Sequence, residues 1–136
     1  KPKDFKQENV NFKGKLNKND EKELKLLQEE YRKADFFIMP TKAEAAGIVF
    51  AEASMYGIPT ITYKTGGVSD YVLDNKTGYT LESNDGAKQF ADKIRLLVKE
   101  NKLYEQVSKN AIEYYKDSLN WQVWSKNLAN FLKTRN

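Results

Sequence analysis

Glu44 and Glu52 stand with seven residues between them in the stretch TKAEAAGIVFAEASMYGIPTITYKTGGVSD, residues 41–70. An ionised carboxylate offers only acceptors, so two of them turned toward one ligand suit vicinal hydroxyls such as those of a ribose or a sugar. Gly47 lies between them at the start of a predicted helix. Free backbone amides and the positive end of the helix dipole favour an anion such as phosphate there, and a glycine puts no side chain in its way. Gly66 and Gly67 add a second place where backbone can come close to a ligand. Amides for a phosphate and carboxylates for hydroxyls together describe a nucleotide sugar.

Each of these residues also has a plainer reading. Glu44 alone reads as a surface loop glutamate, Gly57 with Pro59 as a helix stop, and Gly66-Gly67 as a turn. Glu52 resists such treatment. It sits among Val49, Phe50, Ala51, Ala53 and Met55 in a helix apolar nearly all round, where a buried carboxylate without a partner is expensive. It therefore either pairs internally, as a structural salt bridge would have it, or lines a cleft.

The elements that must position these residues alternate along the chain. VNFKG (10–14) reads as a short strand, and the Asn and Asp cluster at 17–20 caps a helix over DEKELKLLQEEYRKA, with Leu24, Leu27 and Tyr31 at helical spacing. DFFIMP (35–40) is a continuous apolar run stopped by proline, the pattern of a strand buried on both faces of a parallel sheet. GIVFAEASMYG follows as a buried helix ending at Gly57, and IPTITY, rich in β-branched residues, as the next strand. GGVSDYVLD gives a tight turn with a short helix, and TGYTL a further strand. From Asp85 the pattern turns helical: GAKQFADKIRLLVKEN, KLYEQVSKNAIEYYKDS and WQVWSKNLANFLKT. The whole predicts an α/β fold with an open parallel sheet, residues 1–83 alternating and 84–136 closing the domain as helices. In such a sheet the loops at 41–47 and 64–67 leave successive strands at their carboxyl ends and open onto one crevice.

Composition narrows the chemistry. At 136 residues with 40% hydrophobic content the chain has the size of one ordinary globular domain. It contains neither Cys nor His, so disulfides, thiol nucleophiles, Cys/His metal sites and imidazole mechanisms are excluded. The net charge of +4 comes from Lys scattered among acids, as in KGKLNKNDEKELK. That pattern is a solvated face and argues against nucleic acid as a partner. No run approaches the roughly 20 apolar residues that cross a bilayer. The first residue is Lys, which points to a piece of something longer.

The order Pro40, Thr41, Glu44, Gly47, Glu52-Ala53, Gly57-Ile58-Pro59, Gly66-Gly67, Asp70 and then Gly78 resembles the carboxyl-terminal, donor-binding domain of GT-B retaining glycosyltransferases, in particular family 4, the glycosyl transferases group 1. The motifs cover roughly residues 10–82, and SLNWQVWSKNLANFL resembles the closing helices. The resemblance implies a Rossmann-like fold and a parent enzyme that moves a sugar from a nucleotide-sugar donor to a sugar, lipid or protein acceptor. Glu44 would contact the transferred sugar as the catalytic carboxylate. Glu52 would hold the ribose hydroxyls, and the amides of Gly47, Ile48 and Val49, with Gly66 and Gly67, would lie near the donor. No bound metal or other cofactor is implied, and the chain lacks an Asp-x-Asp motif.

Two departures bear on the donor sugar. The common Glu-Gly-Phe-Gly is here Glu44-Ala45-Ala46-Gly47, and Asp70 stands where Glu is more usual. A third is larger: the acceptor-binding amino-terminal domain and the first two strands of the donor domain, with their Arg and Lys, have no counterpart here. The expected consequences are an inactive fragment of a cytoplasmic or peripherally membrane-attached enzyme, and an exposed sheet edge beside DFFIMP. That edge either takes up VNFKG or is covered by a second copy of the chain. Another GT-B member, such as a glycogen or sucrose synthase relative, shares the glutamate spacing. The reading from a different class is a noncatalytic nucleotide-binding or scaffolding module with the same fold.

Overall fold

A computed structural model describes residues 8–45 and 47–134. The chain divides into two compact units, residues 1–33 and 34–136. In the first, helix α1 (Glu21–Lys33) starts at Asp20, whose Oδ1 accepts hydrogen bonds from the amides of Lys22 at 2.9 Å and Glu23 at 3.0 Å. That is the N-cap expected from the Asn and Asp cluster. Lys13 and Glu30 form an ion pair at 3.0 Å. Residues 10–14, expected as a strand, are irregular: VNFKG carries only two apolar side chains, and Val10 and Phe12 are both exposed. With no buried face, nothing there favours a pleat over a solvated loop.

The second unit holds a three-stranded parallel sheet in the order β1 (Phe37–Met39), β2 (Thr60–Tyr63), β3 (Gly78–Leu81). Phe37 sits opposite Thr60, and Thr60 opposite Gly78. Alternation along the strands then sorts side chains between two faces. Ile61, Tyr63, Tyr79 and Leu81 form one face of the core, packed with Phe90 and Leu97 of α3 (Ala87–Lys99) and Val107 of α4 (Asn101–Tyr114). On the other face Phe37 and Met39 meet Phe50 of α2 (Ile48–Met55), together with Val68 and Val72. A sheet covered on both sides is the layering of the predicted α/β class.

The strand buried from end to end is β2, not β1. Ile38 is 45% exposed. Among the described residues β1 is an edge strand with β2 as its one neighbour, so its central side chain lacks the second flank that would bury it.

Two turns depend on glycine. Gly57 ends α2 with φ +70°, the left-handed conformation that closes a helix at low cost. Gly78 opens β3 so close to β2 that a Cβ there would overlap the Thr60 carbonyl. After α4 the chain widens into a π-helical turn, Tyr115–Leu119, becomes extended at Asn120, and enters α5 (Trp121–Lys133).

Candidate functional site

The loops that leave β1 and β2 meet, as expected for successive strands of a parallel sheet. The Thr65 hydroxyl donates to the Lys42 carbonyl at 3.0 Å, and the Gly67 amide to the Glu44 carbonyl at 3.3 Å. Gly66 has φ +48°, and a Cβ on it would strike that same Glu44 carbonyl; one on Gly67 would sit 3.1 Å from the Ala45 carbonyl. The pair is glycine because a second loop lies against it. Its short 3₁₀ turn, Gly66–Asp70, then buries Val68 under the sheet.

Gly47 is buried at the N-terminus of α2, where any Cβ would overlap the Phe50 ring. Its N-cap residue, Gly47, makes no side-chain capping bond. A glycine N-cap offers no side-chain oxygen to the first-turn amides, which is the physical basis for expecting an anion at such a helix start. Ala46 lies outside the described residues.

Beside α2 is a cavity of about 610 Å³, within the range of small-molecule sites. One wall is α2 itself, through Ile48, Ala51, Glu52 and Met55. Ala45 and Gly67 supply the loops, with Asp70 and Tyr71 just beyond them. The opposite wall is the junction between α4 and α5, where Tyr115, Leu119, Trp121 and Trp124 take part. Of the residues singled out from sequence, Ile48, Glu52 and Gly67 therefore come together on one cavity. Glu44, Gly47, Val49 and Gly66 do not line it. Glu44 is half-buried in the adjoining loop, and Val49 is half-buried against the core on the α2 side of the sheet.

Among the described residues, the charged ones lining the cavity are Glu52 and Asp70. Among the described residues no group of three or more Asp, Glu, His or Cys is arranged to hold a metal ion. Tyr114 donates its hydroxyl to the Asp70 carbonyl at 2.8 Å, tying α4 to the 3₁₀ turn. Burial first, and the Asp70 carboxylate second, push the Tyr114 phenol above its ordinary 10.0, so it remains a donor at neutral pH.

The junction wall was not among the sequence-predicted site residues. Asn120 builds it. Its Nδ2 donates to the carbonyls of Tyr115 at 3.0 Å and Lys116 at 2.7 Å, while its Oδ1 accepts from the Val123 amide at 3.0 Å. One side chain thus closes the end of one helix and caps the start of the next. That sets the direction of α5 and carries Trp121 and Trp124 to the cavity, their rings edge to face at 5.7 Å. Two tryptophans three apart just after an Asn N-cap were the available signal.

Comparison with known proteins bears on the family and the fold. The model of the family described as glycosyl transferases group 1 matches residues 4–114. A sucrose synthase of Denitrovibrio acetiphilus is 29% identical over 100 residues, covering 71% of this chain and 13% of that one. Among solved structures, the C-terminal domain of a glycosyl transferase group 1 family protein (LpcC) from Francisella tularensis superposes with a TM-score of 0.63 at 23% identity, covering 70% of this chain and 48% of that one. Anabaena Alr3699/HepE, solved in complex with UDP, gives a TM-score of 0.70 at 19% identity, covering 78% of this chain and 29% of that one. At these identities the two structures carry the fold alone. The chain spans well under two thirds of the length of each of these relatives. On the family match, the two-faced parallel sheet and its superpositions, the chain belongs to the glycosyl transferases group 1 family and carries its GT-B fold.

Proposed function

We propose that the chain is the carboxyl-terminal, donor-binding part of a retaining family 4 glycosyltransferase, acting on a nucleotide sugar. The observation that carries the reading is that Glu52, Ile48 and Gly67 line one cavity beside the loop that bears Glu44, in a member of this family. Glu52 accepts hydrogen bonds from the ribose hydroxyls, and Glu44 contacts the transferred sugar. The diphosphate lies toward the amides of Gly47, Ile48 and Val49 and the backbone of Gly66 and Gly67. In the reaction the bond from the anomeric carbon to the diphosphate oxygen breaks. A new bond forms to an acceptor hydroxyl, whose proton passes to the leaving diphosphate, and the configuration is kept. Dipole and amides offset charge on the leaving diphosphate, without a metal.

The acceptor, a sugar, lipid or protein, is read by an amino-terminal domain of the parent. The parent works in the cytoplasm, in reach of the inner membrane face; among the described residues no helix is long and apolar enough to cross a membrane. The exposed edge at β1 is where a missing strand of the parent, or a second copy, would pair.

Calorimetric titration of the full-length protein with UDP, GDP and ADP tests the reading. One nucleotide is expected to bind, and Glu52→Gln to weaken it about tenfold, the loss of a charge-assisted hydrogen bond. Glu44→Gln is expected to abolish turnover while the nucleotide still binds. Binding without turnover in the unaltered protein would instead identify a noncatalytic nucleotide-binding module, and no binding at all would reduce the kinship to shared fold.

A further inference from the structure

We infer that Tyr114 is a positioning residue for the transfer step: from α4 its hydroxyl fixes the 3₁₀ turn Gly66–Asp70, and through that turn the loop that carries Glu44. The inference rests on the nucleotide-sugar reading above and adds a residue that does not itself line the cavity.

The path from helix to loop is continuous. Val107, Ala111 and Tyr114 are spaced four and three apart, which puts them on one face of α4. Val107 and Ala111 are 1% and 0% exposed, so the core holds that face. Tyr114, half-buried at its end, donates to the Asp70 carbonyl at 2.8 Å. At the other end of the turn the Gly67 amide meets the Glu44 carbonyl, and the Thr65 hydroxyl just before it meets the Lys42 carbonyl. Glu44, the carboxylate assigned to the transferred sugar, is thus tied to α4 through one short turn.

That turn needs an outside hold. It starts with two glycines, the first at φ +48°, and glycine leaves the backbone more freedom than any other residue. Val68 anchors its middle with 0% exposure, but Asp70 at its end is exposed. The contact from Gly67 to Glu44 is 3.3 Å, longer than the roughly 2.9–3.0 Å of an ordinary amide–carbonyl bond. Alone it fixes the loop weakly. Glu52 depends on none of this, because it rides on α2, which Phe50 and Ala53 set in the core. Loss of the Tyr114 hydroxyl therefore separates the sugar end of the site from the ribose end.

Helix α4 supplies its own control. Tyr104, earlier on the same helix, donates to the Asp35 carbonyl at 3.2 Å. Asp35 precedes β1, at the opposite end of the sheet from the Glu44 loop.

The test compares Tyr114→Phe with Tyr104→Phe in the full-length protein, each of which removes one hydroxyl and keeps the ring. Turnover is read as release of nucleoside diphosphate from UDP-glucose, GDP-mannose and ADP-glucose with water as the acceptor, and binding by titration with UDP, GDP and ADP. Tyr114→Phe is expected to lower kcat about fivefold, the factor that one net hydrogen bond is worth, with the nucleotide Kd kept within about twofold. Tyr104→Phe is expected to shift the urea midpoint as much as Tyr114→Phe does, with kcat kept within about twofold. A kcat loss below about twofold in Tyr114→Phe overturns the inference. So does an equal loss in Tyr104→Phe, which would make the effect a general loosening of α4. A Kd weakened as much as kcat overturns it by assigning the turn to the nucleotide, and a Tyr114→Phe protein that does not fold overturns it by assigning the hydroxyl to the core. Glu44→Gln keeps the two readings apart. If that variant turns over like the unaltered protein, or if none of the three sugar donors is turned over at all, the donor reading fails and the inference with it. If Glu44→Gln abolishes turnover while Tyr114→Phe leaves kcat unchanged, the inference alone fails.

Discussion

Helices α2 and α5 wall the same cavity on opposite terms. α2 is apolar nearly all round and buries Phe50, Ala51, Ala53 and Ser54, so the core dictates where Glu52 sits. α5 buries nothing, leaves Trp121, Leu128, Phe131 and Leu132 exposed, and is directed by the hydrogen bonds of one asparagine. The difference separates two duties. On the proposed reading, the carboxylate that meets hydroxyls at fixed positions rides on the rigid side, and an exposed apolar surface rides on the looser one.

That contrast can be broken first at α2. Phe50→Ala removes a side chain with 0% exposure that meets Phe37 edge to face at 5.9 Å, and a loss of about 3–5 kcal/mol is expected in urea unfolding. The same variant should lose nucleotide binding, because Glu52 is two residues along the same helix. A stability change under about 1 kcal/mol would show that α2 is not anchored by the core in this way.

Gly66→Ala comes next. The left-handed backbone and the overlap with the Glu44 carbonyl together should cost about 2 kcal/mol. If Ala is tolerated there with unchanged melting, the two loops are not held as tightly as the Thr65 and Gly67 hydrogen bonds suggest.

Asn120→Ala sharpens the comparison from the α5 side. Loss of the cap should cost about 1 kcal/mol locally, with little effect on global melting because α5 buries none of its residues. Tryptophan emission is the sensitive readout, expected to change with the direction of the helix. A global drop as large as that of Phe50→Ala would mean that α5 is part of the cooperative core.

The smallest effect is alkaline. Tyr79, Tyr104 and Tyr114 are all pushed above the ordinary 10.0, by burial first and by Asp74, Asp35 and Asp70 respectively. A raised phenol favours the protonated, folded form. Its contribution is therefore complete below pH 10.0 and lost as pH rises through the higher folded value. Urea midpoints should be level up to about pH 9 and decline above about pH 10. A midpoint still level at the alkaline end would show that the phenols ionise freely in the folded chain.

Much of this was legible in the residues. The β-branched run at 60–63, the helix around Glu52, the glycine stop at 57 and the three closing helices follow from local pattern. Periodicity and turn chemistry act over a few residues, within reach of sequence. The meeting of the loops at Glu44 and Gly67 could be expected from parallel topology, but the reason for the glycine pair could not: it is the backbone of a distant loop lying against it. VNFKG failed as a strand because two apolar residues give no face to bury. DFFIMP reads as doubly buried, but it is an edge whose exposure depends on what stands beside it.

By itself the sequence determined the chemistry available, carboxylates, amides and hydroxyls without thiol or imidazole, and the glutamate spacing that marks the family. Only the tertiary structure decided that Glu52 and not Glu44 lines the cavity. It alone brought Trp121 and Trp124 from the far end of the chain to line the same cavity as Glu52. The physical reason is range: spacing governs which residues share a helix face, whereas a cavity is what remains between elements after the sheet, its covering helices and the Asn120 junction have settled their own contacts.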